Sequence, residues 1–251
     1  MSTVVAVANQ KGGVAKTTTV HTLAEALVER GKSVLMIDLD PQACLTYATR
    51  SEPDSLDATI HDVFLGRVKV SDVLLKREGP DLLPSSIDLA GSEIHLLTKT
   101  GREFVLKRAL AEIKDDYDVV LIDCGPSLGI LTVNALTAAD SVLIPFQAET
   151  LSDRGVGQLI ETIDDVRNYT NENLDIMGGV ATMYDARTKL SKRVLEDVQE
   201  THGLNLIEPP IPRSVRVAEA PEVGVSVLSH AGRSKPAAAY RELAREIESM
   251  L

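Results

Sequence analysis

Asn9-Gln10-Lys11-Gly12-Gly13-Val14-Ala15-Lys16-Thr17-Thr18 is the stretch on which the fold turns. Directly before it, Val4-Val5-Ala6-Val7-Ala8 is a continuous apolar run of the kind a buried strand requires. Directly after it, from Thr17 to Arg30, Val20, Leu23, Ala24 and Leu27 recur at helical spacing, which predicts an amphipathic helix. Strand, glycine-bearing turn, Lys-Thr and helix together aim backbone N–H groups and the positive end of a helix dipole at one point, a ready anion site. In such a loop Lys16 bridges the β- and γ-phosphates of a nucleotide, and the Thr17 hydroxyl ligates Mg²⁺.

The common pattern G-x-x-x-x-G-K-[ST] fails here at both glycines, because Gln10 and Ala15 occupy those positions. What stands instead is K-G-G-x-x-K-T-T, with a second lysine, Lys11, at the front of the loop. Read from the residues alone, a glycine turn before a lysine-bearing helix remains the plain alternative. The pattern resembles the deviant Walker A loop of the ParA/MinD group of ATPases. That resemblance implies ATP/ADP and Mg²⁺ as cofactors. It places Lys11, Gly12, Gly13, Val14, Ala15, Lys16, Thr17 and Thr18 around the nucleotide, with Lys11 crossing a dimer interface to the partner's nucleotide. At Ala15, where glycine is common, the loop is expected to adopt a conformation that alanine tolerates or to be completed by nucleotide.

Further along, Lys32 to Asp38 reads as a second strand entered through Gly31, running into Asp38-Leu39-Asp40-Pro41-Gln42. Carboxylates at the C-terminal end of a parallel strand lie on the ligand side of an open α/β sheet. D-x-D-P-Q resembles the family's second signature, which implies that Asp40 positions the attacking water and Asp38 stands behind the Mg²⁺ ligands. Tyr117 to Asp123 (YDVVLID) is the strongest strand and carries the Walker B pattern, so that Asp123 holds Mg²⁺ through water. Cys124-Gly125-Pro126-Ser127 resembles the family's C-P-P-S switch, with Gly125 in place of the first proline, a change expected to loosen that segment. Cys124 itself reads as a small buried residue.

Short helices are expected over Thr59 to Leu65 and Val70 to Leu75, and a short strand at Leu82-Leu83-Pro84. Helices are also expected over Asp88 to Leu97, Arg102 to Ile113, Ser127 to Thr137 and Ser152 to Tyr169. Strands are expected at Ser141 to Phe146 and at Leu174 to Thr182, the latter interrupted by Gly178-Gly179. At least five strands alternating with helices predict an α/β fold, a mainly parallel twisted sheet with helices on both faces. No repeat, linker or low-complexity stretch divides the chain, which is read as a single domain over 1–251.

Composition narrows the function. The 251 residues are 44% hydrophobic and 25% charged, ordinary for a globular chain. Cys44 and Cys124 lack metal spacing, which suits a reduced cytoplasmic setting. No apolar run approaches a membrane span. The net charge of −11 opposes indiscriminate attraction to DNA, so any DNA contact needs a local basic surface.

Two segments offer one. Met183-Tyr184-Asp185-Ala186-Arg187-Thr188 precedes a helix carrying Lys189, Lys192 and Arg193, and resembles the family's D-x-R-T segment. Pro209-Pro210-Ile211-Pro212-Arg213-Ser214-Val215-Arg216 and Ala218-Glu219-Ala220-Pro221 resemble the I-P-R-x-V-R-x-A-E-A-P run of chromosomal ParA and Soj proteins. The resemblance implies that Pro212 and Arg213 lie along the adenine, and that Arg187, Lys189, Lys192, Arg193 and Arg216 contact DNA. Ion pairs on a solvated face are the alternative for these arginines. Lys235 to Met250 reads as a packed terminal helix rather than a lipid anchor, so no membrane is expected.

With four motifs in order, the chain is similar to short ParA-type ATPases from about residue 3 to about residue 248. The resemblance implies an ATP-induced homodimer that binds double-stranded DNA without sequence preference. It also implies release through a ParB-like partner that stimulates hydrolysis, and a cytoplasmic, nucleoid-associated location. A positioning ATPase for protein cargo or the division site shares every motif. An iron–sulfur carrier of this superfamily needs a C-x-x-C pair, which is missing; a tyrosine kinase ends in a tyrosine cluster, whereas Tyr240 stands alone. An amide ligase or synthetase has no need of the P-R-S-V-R loop.

Overall fold

Side-chain alternation along the strands decides the layering. In β1 (Thr3–Val7), Val5 and Val7 belong to one apolar cluster and Val4 and Ala6 to the other, because successive residues face opposite sides. The computed structural model describes residues 2–148 and 152–251, the side chains of 152–154 excepted. In chain order the elements after β1 are α1 (Lys16–Glu29), β2 (Val34–Leu39), α2 (Cys44–Ala48), α3 (Ile60–Leu65), β3 (Asp81–Leu83), α4 (Leu89–Leu96) and α5 (Val105–Leu110). They continue with β4 (Val119–Cys124), α6 (Ile130–Ala138), β5 (Ser141–Gln147), α7 (Ser152–Tyr169), β6 (Asp175–Thr182), α8 (Lys189–His202), α9 (Val215–Glu222), α10 (Val227–Ala231) and α11 (Lys235–Glu248).

The six strands form one sheet in the order β3-β2-β4-β1-β5-β6, every pair parallel. The α/β expectation is met. β2 and β4 are buried along their whole length, as parallel strands covered on both faces must be. One face carries α1, α10 and α11, where Leu23, Leu27, Tyr240, Leu243 and Ile247 are fully buried against Val5, Met36 and Leu121. The other carries α3, α5, α6, α7 and α8 around Phe64, Leu106, Leu136, Leu159 and Val198. β1 sits between β4 and β5, so the loops leaving β1, β2 and β4 open at the same edge, the crevice where open α/β sheets bind ligands. Among the described residues no helix is long and apolar enough to cross a membrane.

Four local expectations need correction. Val70 to Leu75 holds only a 3₁₀ turn at Val70–Asp72, after which Leu75 pairs antiparallel with Leu82, so the backbone is already extended there. Arg102 to Ile113 begins as a 3₁₀ turn over Arg102–Phe104 before α5. The helix expected from Ser127 starts at Ile130, because Gly129 is extended and its N–H is taken by Ser127 Oγ at 3.0 Å. β6 is not interrupted by Gly178-Gly179 but bulged, Val142 pairing with Ile176 and Leu143 with Gly178. The two glycines answer a close approach instead. A Cβ on Gly178 would lie 2.8 Å from the Asn205 carbonyl oxygen, and one on Gly179 2.7 Å from Leu204 Cδ2.

Candidate active site

The loop between β1 and α1 is held from the far side of the sheet edge. Asn9 accepts from the Lys11 N–H at 2.9 Å and donates to the Pro145 carbonyl at 2.8 Å. The Thr182 hydroxyl, at the end of β6, faces the Val14 and Phe146 carbonyls at 3.0 and 3.1 Å. Gln147, at the end of β5, donates to the Gly13 carbonyl at 3.1 Å. The motif reading missed all of these supports. The available signal was a polar residue closing each apolar strand on the ligand side.

Gly13 and Ala15 both take left-handed backbone, with φ of 74° and 65°. The expected alanine-compatible conformation is therefore overturned: Ala15 stands in the region that disfavours any Cβ. It does so because its carbonyl already accepts the first helical hydrogen bond, from Thr19 at 2.9 Å, while its φ reverses the chain out of the loop. Around Gly12 and Gly13 a Cβ would meet nothing within 4 Å, so the space beside the loop's backbone is open.

Lys16 is buried, and its Nζ reaches the Lys11 carbonyl at 3.3 Å. Burial lowers its pKa, opposed first by the charge of Asp123. Asp123 pairs in register with Asp38 across β2 and β4. Both Asp123 oxygens lack a hydrogen-bond partner although the residue is only 1% exposed. Burial raises its pKa well above the carboxylate range and the charge of Asp38 adds to this, while nearby Thr17 pulls it down. An orphaned buried carboxylate beside a threonine hydroxyl and a lysine fits a divalent cation coordinated at Thr17 with Asp123 close by.

Asp38 differs from Asp123. One of its oxygens accepts from the Thr46 N–H and hydroxyl at 2.8 and 2.7 Å, and the other from the Asp40 N–H at 3.2 Å. Burial lifts it to about 6 against those bonds. Occupied in this way, Asp38 fits a place behind the metal's ligands rather than among them. Asp40 is fixed by its own carbonyl, which accepts from the Ser85 hydroxyl at 2.8 Å, and by Gln42 N–H on its carboxylate at 2.9 Å. A Cβ at Gly125 would stand 3.3 Å from the Asp40 Cγ, so the glycine lies flush against the carboxylate. Cys124 is buried as expected, and burial next to Asp123 raises its thiol; partial desolvation and the charge of Asp40 raise that of Cys44, an exposed residue.

Beyond the loop the cleft, of about 610 Å³, continues into a slot formed by Ile211, Pro212, Arg213, Val215, Val217, Ala218 and Pro221. Thr17, Thr18, Asp40 and Met183 line the same cleft. Val14 does not line it; its side chain is fully buried, so only its backbone can face a ligand. Lys11 turns aside, its Nζ 3.1 Å from Gln147 Oε1.

The two basic segments meet. Tyr184 and Pro212 form a parallel bridge, with Arg213 N–H donating to the Tyr184 carbonyl at 3.1 Å. The arginines are nevertheless paired locally. Arg187 meets Asp185 at 2.8 Å, Arg216 meets Glu219 at 3.0 Å, and Arg193 lies 3.7 Å from Asp197. Hydrogen bonds from Arg187 hold Asp185 down to about 2. Lys189 and Lys192 are exposed on α8.

Comparison with known proteins agrees with this geometry. Residues 2–176 match the AAA domain family AAA_31. The chain is 41% identical over 249 residues to the sporulation initiation inhibitor protein Soj of Bacillus subtilis, covering 98% of each. It is 44% identical over 250 residues to the chromosome partitioning protein ParA of Caulobacter vibrioides, covering 98% of this chain and 94% of the relative. Among solved structures it is 51% identical to cobyrinic acid a,c-diamide synthase from Mycobacterium smegmatis with bound ATP analog and magnesium. That likeness has a TM-score of 0.89 and covers 98% of this chain and 93% of the other.

Proposed function

The chain belongs to the Soj/ParA family of partitioning ATPases, and from that premise we propose that it segregates DNA by an ATP-switched dimer. In this reading two nucleotide-bound copies bind double-stranded DNA without sequence preference in the cytoplasm. A ParB-like protein then stimulates hydrolysis and release. The observation that carries it is the Tyr184–Pro212 bridge, which joins the basic α8 segment to the loop lining the nucleotide slot. Nucleotide seated against Pro212 and Arg213 thereby acts on the backbone that presents Arg187 and Arg216.

The reaction is phosphoryl transfer from ATP to water, driven by positioning and charge neutralisation. Mg²⁺ supplies neutralisation of developing charge on the phosphate oxygens. Thr17 and Asp123 would hold it, with Asp38 orienting Thr46 and the Asp40 turn behind them. The backbone of Gly12 to Thr18 binds the phosphates, Lys16 offsets their charge, and Lys11 does so from the partner copy. Asp40 orients the attacking water and takes up its proton as the bond forms.

A cargo-positioning ATPase is the second reading, because it shares this catalytic geometry. An amide synthase, as the Mycobacterium smegmatis structure is described, finds less support. Release of ammonia from glutamine by a thiol needs a lowered pKa, whereas burial raises Cys124, and partial desolvation with the nearby carboxylates raises the exposed Cys44. The deciding experiment measures DNA binding with a slowly hydrolysed ATP analogue across a salt series. Affinity should fall steeply, with a slope of about −0.9 for each phosphate neutralised. The double variant Arg187→Glu, Arg216→Glu should lose DNA while still dimerising. Equal binding by that variant would remove the arginines from the DNA surface, and no binding by the parent would favour the cargo reading.

A further inference from the structure

Gln147 touches the two features that set the loop apart. Its Nε2 donates to the Gly13 carbonyl at 3.1 Å, and its Oε1 accepts from Lys11 Nζ at 3.1 Å. These partners fix the amide: turned over, it would set donor against donor at Lys11 and acceptor against acceptor at Gly13. Among the contacts of the described residues, Lys11 is held through its N–H by Asn9, through its Nζ by Gln147 and through its carbonyl by Lys16 Nζ. The side chain lies against its own chain's loop rather than projecting away from it.

The chemistry of the holding group matters. A carboxylate here would grip the ammonium firmly and repel incoming phosphate, whereas an aliphatic side chain would not hold it. A neutral amide makes a bond that a charged phosphate oxygen readily outcompetes. We infer that Gln147 is a positioning residue for Lys11, keeping that lysine on its own chain until the phosphates of a facing copy draw it across. The inference rests on the reading that Lys11 acts across a dimer interface. In this arrangement the Lys11–Gln147 hydrogen bond is one contact that must break for dimerisation.

The test uses the full chain in three forms: Gln147→Leu, Thr182→Val and Lys11→Ala. Thr182→Val removes a loop support on Val14 without touching Lys11, so it reports general loosening. First, trace acetylation of the nucleotide-free protein is read lysine by lysine by mass spectrometry, with Lys99 and Lys235 as internal standards. Gln147→Leu should raise Lys11 labelling about fivefold, the factor set by loss of one ordinary hydrogen bond. Thr182→Val should leave it unchanged. Second, sedimentation with a slowly hydrolysed ATP analogue gives the protein concentration at half-dimerisation, which Gln147→Leu should lower by a similar factor. Unmoved labelling, an unmoved or raised midpoint, or equal labelling in Thr182→Val would overturn the inference. If Lys11→Ala fails to dimerise while Gln147→Leu matches the parent, Gln147 alone is refuted. If Lys11→Ala dimerises like the parent, the cross-interface reading falls and this inference with it.

Discussion

Ala15→Gly should stabilise the chain, and its size follows from the backbone. Ala15 sits at φ 65° and ψ 32°, where the Cβ of an L residue crowds its own peptide. That conformation costs about 1–2 kcal/mol for a residue with a side chain. Glycine removes the cost but loses about 0.5–1 kcal/mol more chain entropy on folding. The difference favours the variant by about 0.5–1 kcal/mol, a rise of about 1–4 °C in unfolding midpoint for a chain of this size. Because the loop is braced by Asn9, Gln147 and Thr182 without ligand, the gain belongs to the nucleotide-free fold. Thermal unfolding without nucleotide measures it, and calorimetric titration of ADP should give an unchanged affinity. Gly13→Ala is the mirror control: its φ is 74° and no atom lies within 4 Å of the new Cβ, so the same two backbone effects with reversed sign should cost about 0.5–1 kcal/mol. A lower midpoint for Ala15→Gly, or an unchanged midpoint with tighter ADP binding, would refute a preformed left-handed Ala15.

Asp40→Ala should accumulate an ATP-bound dimer with hydrolysis slowed about 10²–10⁴-fold, the usual loss when a positioned base is removed; single-turnover kinetics at parent speed would reduce Asp40 to a turn residue. Asp185→Asn should free Arg187 and tighten DNA binding, seen as half-saturation at a lower protein concentration than the parent at each salt of the same series. His21 is held down to about 4 by burial, against the pull of Glu25. Its folded pKa lies below the ordinary 6.5, so the unfolded chain protonates first and the stabilisation, whole above pH 6.5, drains away between 6.5 and about 4. Chemical denaturation across that range should show a loss of about 3 kcal/mol from this group, absent in His21→Gln.

The core of the fold was legible because it depends on near neighbours in sequence. Apolar runs at Val4–Ala8 and Val119–Ile122 can only be strands covered on both faces, and each ends in the residues that face the ligand. Motif spacing also located Asp123, whose unpartnered oxygens are the strongest mark of a cation site. What stayed hidden depends on distant partners. Gln147 meets Gly13 across 134 positions, and Thr182 meets Val14 across 168. Gly178 and Gly179 read as a strand break because the segment at Asn205 that presses on them is out of view in any local window. Ala15 misled for another reason: its type argues against left-handed backbone, and only the geometry of the turn overrides that preference.

Charge is the remaining conflict, and the ion pairs resolve it. With −11 overall, the chain's average field repels DNA, yet that field is screened beyond about 8 Å at physiological salt. Within that distance Arg187 and Arg216 face their own carboxylates, Asp185 and Glu219, and so present little net positive charge while a copy stands alone. Such exposed pairs are weak, because water screens them and competes for both partners, so a DNA phosphate can replace the carboxylate at small cost, water taking up the released oxygen. On the proposed reading, one copy neutralises too few phosphates by this exchange to hold DNA. Two copies aligned on one surface double the phosphates neutralised while the background repulsion stays screened. On the proposed reading, weak pairing in the single copy would make DNA binding depend on dimerisation, and through Pro212 and Arg213 on the nucleotide.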